Sequence, residues 1–387
     1  MVTVLLVERM PLTLLNSTNP AVVDMCKFLT RKGHKVVALT MCNSENKEDI
    51  VETYTVPFHF QRQKHMLKIL ASVIFSVFAP LLASYIVKTK RVDVICYNDV
   101  IPVFWPIVWL SLRNVKKVHF EGDFITEYIS KEGFGRFIRN PLFHIEKWHW
   151  NQYDVVAVNS KAFMRLLRAN GVTEKRIEIL PESVDNQLFT VELRKNSKII
   201  SSQFAIVTHG ILTHYKGVDF LLIALRKVLD KGYRVHLTII GDGPERPVLE
   251  ALMRKLSIEQ AVTMLGWVPL AHVPKLMSSS RLGVVLRRKS LGNELVLTQA
   301  LLQYACLGIP ILAPDTETIR QEMKDRESLI TYQASNADDL ADKIIFAIEN
   351  EVLLDKFAEN ARQIVMARHS REIIAEKAAA ICLSLLQ

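Results

Sequence analysis

The sequence predicts an α/β chain: two Rossmann-like, doubly wound domains with a cleft between them. Three observations carry this expectation. Apolar, β-rich runs alternate with helix-period segments along nearly the whole chain, the order that builds βαβ units and a mostly parallel sheet. Two of the runs, Phe204 to Val207 and Val235 to Ile240, end in the glycine turns Gly210 to Gly217 and Gly241-Asp242-Gly243-Pro244, then pass into helical segments. Ligands are expected outside the carboxyl ends of such strands. Finally, 387 residues exceed a usual single core and suffice for two.

The elements follow in order. Thr3 to Val7 is a buried first strand, ended at once by Glu8 and Arg9; with no basic leader and no small-residue cleavage site, it does not read as a signal peptide. Ser17, Thr18 and Asn19 are placed to cap a helix that begins near Pro20 and runs from Ala21 to Arg31. Strands are expected at Lys35 to Leu39, Val92 to Tyr97 and Val115 to Phe120, with a long apolar helix after the second strand and a helical run from Ile101 to Leu112. After Val155 to Asn159 comes a helix from Ser160 to Asn170, stopped by Gly171, and a last strand from Ile177 to Leu180. The polar, aperiodic stretch 191–203 reads as a linker between a first domain, 1–190, and a second, 204–368. In the second domain, helices are expected from Gly217 to Lys231 and Glu245 to Leu256, and a strand from Leu282 to Leu286; from Ala337 onward the pattern is helical.

Composition narrows the class. Hydrophobic residues make up 49% and charged residues 23%, ordinary for a globular protein and contrary to wholesale disorder. The five cysteines are scattered without metal-ligand or paired spacing and read as reduced core residues of a cytoplasmic protein. A formal charge of +9 and a pI near 9.2 are compatible with a nucleic acid, an anionic membrane or a phosphorylated substrate, and charge alone does not choose.

One stretch, Ile69 to Val87, contains no charge, although Pro80 interrupts it and serines dilute it. Arg62, Lys64, Lys68, Lys88, Lys90 and Arg91 flank it, and no acidic residue occurs between Glu52 and Asp93. Two readings stand side by side: a helix buried against the sheet, or a face resting on an anionic membrane surface. Trp105 and Trp109 add interfacial aromatics to the second reading.

Several ordered segments together resemble the GT-B glycosyltransferases of the retaining, family-four type. They are Gly210-Ile211-Leu212-Thr213-His214-Tyr215-Lys216-Gly217, Gly241-Asp242-Gly243-Pro244, Leu265-Gly266-Trp267-Val268-Pro269 and Gln303-Tyr304-Ala305-Cys306-Leu307-Gly308-Ile309-Pro310. In the first half, Lys32 to Val37, Asp154 to Ser160 and Leu180 to Asp185 add to the set. The resemblance implies a nucleotide-sugar domain at 204–368 and a final helix, 369–387, crossing back onto the first domain. It also implies transfer of a sugar from a nucleotide-sugar donor to a hydroxyl acceptor with retention, with no metal and no further cofactor, in cell-surface polysaccharide or glycolipid biosynthesis. The expected partners are the donor, a glycan or lipid-linked acceptor and an anionic membrane surface, with no nucleic acid. The expected location is the cytoplasm, peripheral on the inner face of the plasma membrane.

The same resemblance assigns candidate residues. Lys216, between a glycine turn and a helix start, is expected to meet the donor diphosphate, with Gly210, Gly241 and Gly243 admitting it closely. The family's arginine after the first glycine is replaced by Ile211, and Arg287 and Arg288 are either substitutes or a solvated basic loop. Of the family's two donor-bracketing glutamates, the second position holds Gln303, and the first holds Leu295 with Glu294 beside it. Gln303 is expected to accept a ribose hydroxyl through its amide oxygen. His119, at the end of its strand, is expected to face the transferring sugar, with Glu121 and Asp123 as weaker acceptor-side candidates. Asn16 and Ser17 are acceptor-side candidates whose other reading is the helix cap. The Gly241/Gly243 pair lacks a following glycine and a ribose-binding acid, so no nicotinamide cofactor is expected. Loss of two donor positions also raises a degenerate, non-catalytic binding subunit as the alternative.

Overall fold

The computed structural model describes residues 1–8, 20–40, 51–55, 65–98, 114–122, 135–173, 176–195 and 203–386. The chain forms two compact units, Met1–Pro181 with Arg371–Gln387, and Glu182–Ser370. The division falls at Pro181, upstream of the stretch expected to be a linker, whose first part forms the short helix Val191–Lys195 within the second unit.

The first unit holds a seven-stranded sheet in the order β3-β2-β1-β4-β5-β6-β7. Its strands are β1 (Thr3–Glu8), β2 (Lys35–Thr40), β3 (Glu52–Thr55), β4 (Val94–Asn98), β5 (Lys116–Glu121), β6 (Val155–Val158) and β7 (Ile177–Ile179). All of the pairings are parallel. β3 escaped the sequence reading because it is a polar, largely exposed edge strand, and β-propensity reflects a half-buried surface. One face of the sheet, including Val4, Leu6, Val94, Cys96, Val118 and Phe120, is covered by two helices. These are Pro20–Arg31 and the final helix Arg371–Ser384, and Arg371 fixes the latter by a two-pronged ion pair with Asp24 at 2.5 and 2.8 Å. The helix Lys161–Ala169 is capped by Ser160, whose hydroxyl accepts from the Phe163 backbone N–H.

The charge-free stretch lies in the helix His65–Lys90, with Pro80 inside it. Phe75, Ala79, Ala83 and Ile86 are buried, while Phe78, Leu81 and Tyr85 are exposed. The helix is thus two-sided in burial although nearly uniform in composition. Among the described residues no helix is long and apolar enough to cross a membrane. Lys90 pairs with Glu52 at 2.5 Å rather than standing free, and the Ile101 to Leu112 run lies outside the described residues.

The second unit repeats the architecture with six strands in the order β10-β9-β8-β11-β12-β13. They are β8 (Phe204–His209), β9 (Val235–Ile240), β10 (Val262–Gly266), β11 (Leu282–Val284), β12 (Ile311–Pro314) and β13 (Ile330–Tyr332), again all parallel. Residues of β8, β9 and β12 feed two cores: Ile206, Leu237 and Leu312 one, Val207, Ile240, Ile311 and Ala313 the other. Burial on both faces is why these strands read as continuous apolar runs.

Candidate active site

The carboxyl edge of the second sheet is assembled from backbone. Past β8 and β9 the two glycine turns lie against each other: the Leu212 N–H donates to the Asp242 carbonyl at 2.9 Å, and the Glu245 N–H to the Leu212 carbonyl at 3.0 Å. A Cβ at Gly241 would stand 2.1 Å from the Gly210 carbonyl oxygen, and one at Gly243 would stand 2.4 Å from that of Leu212. The two glycines marked as donor-binding are therefore required by the fold itself, because only hydrogen fits between the turns.

Lys216 closes the turn His214–Lys216, just before the helix Val218–Asp230. Its side chain folds back over Gly210, and its ammonium donates to the His209 carbonyl oxygen. Burial, and then the neighbouring Arg287 guanidinium, push this lysine down to about 7 from its ordinary value of 10.5. Arg287 acts on Lys216 as a like charge, and among the described residues no carboxylate acts on Lys216 to hold it charged, an arrangement that an anionic ligand would relieve.

The two arginines of the following loop separate clearly. Arg288 is committed to structure: it donates to Asp219 and to the His214 carbonyl at 2.7 Å each, and lies 4.7 Å over the Phe220 ring. Arg287 donates to the Asn293 amide oxygen at 3.0 Å and leaves its field on Lys216. Of the two expected substitutes for the missing arginine, Arg287 is the one whose charge acts on Lys216, while Arg288 is held by Asp219 and the His214 carbonyl. Ile211, at the vacant position, is 56% exposed.

Two further candidates already have protein partners. The Gln303 amide oxygen accepts from His209 Nε2–H at 2.5 Å. The other ring nitrogen of His209 lies 3.0 Å from the buried Tyr304 hydroxyl, and burial followed by Lys216 pushes the imidazole down to about 3, so it is neutral. Glu294 is likewise occupied. Its carboxylate accepts the Glu317 backbone N–H at 2.7 Å, at the start of the helix Glu317–Glu322, and its ordinary value is raised mainly by burial. Glu294 serves a helix N-terminus, where a carboxylate is favoured.

In the first unit, His119 is interior to β5 and 3% exposed, not presented at a strand end. Its Nε2–H donates to the Glu121 carboxylate at 2.8 Å, the same oxygen accepts Trp150 Nε1–H at 2.8 Å, and the ring stacks on Tyr153 at 4.7 Å. Both His119 and Glu121 belong to a buried polar and aromatic cluster. His149 joins it against His119, and burial followed by His119 keeps its imidazole well below the usual range. Asn16, Ser17 and Asp123 lie outside the described residues.

Sequence reasoning missed His209 and Asn293, and the pairing of Glu121 with His119 and Trp150. A histidine as the last strand residue before Gly210 was a usable signal; Asn293 holds an arginine only six residues away, and Trp150 meets Glu121 across 29 residues.

Comparison with known proteins agrees with this architecture. Residues 190–364 match the model of glycosyl transferases group 1, and residues 20–188 that of glycosyltransferase family 4. The alpha-D-kanosaminyltransferase of Streptomyces kanamyceticus is 24% identical over 200 residues, covering 52% of this chain and 50% of that protein. The match to curated relatives thus spans about half their length. Sucrose-phosphate synthase of Thermosynechococcus elongatus superposes with a TM-score of 0.77 at 16% identity over 100% of this chain and 99% of its own. HepE of Anabaena, solved with UDP-glucose, gives 0.71 at 16% identity over 100% of both chains; at such identities the likeness speaks for the fold. With the two family models together taking in most of the chain, and two parallel Rossmann-like sheets beneath them, the protein belongs to the family-four-like GT-B glycosyltransferases.

Proposed function

We propose that this protein transfers a sugar with retention from a nucleotide-sugar donor to a hydroxyl of a glycan or lipid-linked acceptor, in the making of a cell-surface polysaccharide or glycolipid. The observation that carries the reading is Lys216, folded onto the Gly210 turn beside Arg287 and depressed to about 7. A depressed lysine at the carboxyl end of a central parallel strand suits a ligand that supplies negative charge. In this reading the donor diphosphate lies between Lys216 and Arg287, and the two cations stabilise the charge that grows on it as the glycosidic bond breaks. Neutral His209 holds Gln303 in place without adding a third positive charge. Gln303 then offers its amide N–H groups, not its oxygen, to the ligand.

The exposed Phe78, Leu81 and Tyr85, next to Lys88, support a lipid-linked acceptor reached from a membrane surface. Co-sedimentation with anionic and neutral vesicles tests this part. Binding that ignores lipid charge would remove it.

A second reading, a non-catalytic binding subunit, is favoured by the engagement of Glu294 with a helix end and of Gln303 with His209. Calorimetry with a panel of nucleoside diphosphates and nucleotide sugars separates the two. Saturable binding of one donor, followed by release of free sugar or its transfer, supports the enzyme; silence across the panel supports the subunit. Anomeric configuration of the product, read by NMR, decides retention.

A further inference from the structure

Three cysteines meet in the core of the first unit: Cys26 on the helix Pro20–Arg31, Cys96 in β4, and Cys382 in the last turn of the helix Arg371–Ser384. Two of them touch. The sulfurs of Cys96 and Cys382 lie 3.2 Å apart although 286 residues separate them in sequence. Closing this gap to a disulfide requires an approach of about 1 Å. Met25 Sδ stands 3.7 Å from the Cys382 sulfur on another side.

We propose that Cys96 and Cys382 form a reversible disulfide that ties the final helix to the centre of the first sheet when the protein meets a low-molecular-weight disulfide oxidant. Both thiols are fully buried, and burial, then the Cys382 contact, raise Cys96 well above its ordinary range. Cys96 is therefore slow to react at rest, since the thiolate is the attacking form. Access comes from the helix end. Cys382 lies within the last turn of its helix, which ends at Ser384, and the end turns of helices fray.

Once the turn opens, the Cys382 thiol loses its proton to water and its sulfur attacks the sulfur–sulfur bond of the oxidant. A mixed disulfide forms and one small thiolate leaves. As the helix re-seats, the Cys96 thiol gives up its proton, its sulfur displaces the second small thiolate, and the protein disulfide closes. Both leaving thiolates take up protons. Two electrons have passed from the cysteine pair to the oxidant, which is reduced to two thiols. The product can no longer fray at the last turn of this helix, and the helix Arg371–Ser384 becomes fixed to β4.

The test uses the full chain and oxidised glutathione. After incubation at 37 °C, free thiols are alkylated and peptides mapped without reduction. The expected result is a Cys96–Cys382 linked peptide that has lost two hydrogen atoms and is restored by dithiothreitol, with thermal unfolding raised by roughly 5 °C. Cys26→Ser should still form the link, and Cys382→Ser should neither link nor gain stability on oxidation. A link from Cys382 to Cys26, a mixed disulfide that never closes, or no oxidation of either thiol after a day would each overturn the proposal. The mapping of the unsubstituted chain stands even if a variant folds poorly.

Discussion

The two units share a parallel, doubly wound plan but finish the carboxyl edges of their sheets differently. In the second unit the edge is backbone on backbone, with Gly241 and Gly243 pressed against the turn from Gly210 to Leu212. In the first unit the strands β2, β1, β4 and β5 each end in a buried polar side chain: Thr40, Glu8, Asn98 and Glu121. Asn98 donates to Glu8 across the β1–β4 pair, and Glu121 collects His119 and Trp150. Backbone contact demands a missing side chain and leaves a short motif in the sequence. A side-chain network demands only compatible partners and leaves no local signature.

The largest way to break the comparison is at the glycines. Gly243→Ala should cost about 3 kcal/mol or more in chemical denaturation, because its Cβ would meet rigid backbone. Gly232→Ala, at φ +86° but in open space, should cost only about 1 kcal/mol. Similar losses at the two positions would mean that the turns do not press on each other.

Next comes charge without packing. Lys216→Ala should weaken binding of a nucleotide sugar by roughly 10²-fold while leaving the unfolding midpoint unchanged or higher, since an ammonium held against burial and Arg287 is removed. Affinity within threefold of the unsubstituted protein would take Lys216 out of the donor site.

The first unit supplies the converse, structure without ligand. Trp150→Phe removes a donor from the buried Glu121 carboxylate and should destabilise the protein by about 1–3 kcal/mol. Nucleotide-sugar affinity should not change. A loss of affinity with full stability would turn the buried cluster into part of the donor site.

The smallest effect is a pH slope. Lys216 titrates at about 7 in the free protein and is held charged by a bound diphosphate, so above pH 7 binding must take up a proton. Affinity for a nucleotide sugar, whose phosphodiesters exchange no proton there, should be flat below pH 7 and fall by up to about tenfold per pH unit above it. Lys216→Gln should abolish the slope. A slope retained in that variant would assign it to another group.

Lys216 and the glycine turns were legible because they depend on neighbours a few residues away and on the strand–turn–helix order that the sequence spells out. The same is true of most strands: burial on both faces writes them as apolar runs, whereas the exposed edge strand β3 carried no such mark. Tertiary structure alone decided which loop arginine acts on Lys216, that Gln303 is spoken for by a histidine 94 residues away, and that Trp150, 29 residues on, donates to Glu121. It alone brought Cys96 against Cys382. The physical reason is range. Periodicity and turn chemistry act over a few residues and are written locally, while hydrogen-bond partners, buried charges and sulfur contacts depend on which distant segments the sheet order places side by side.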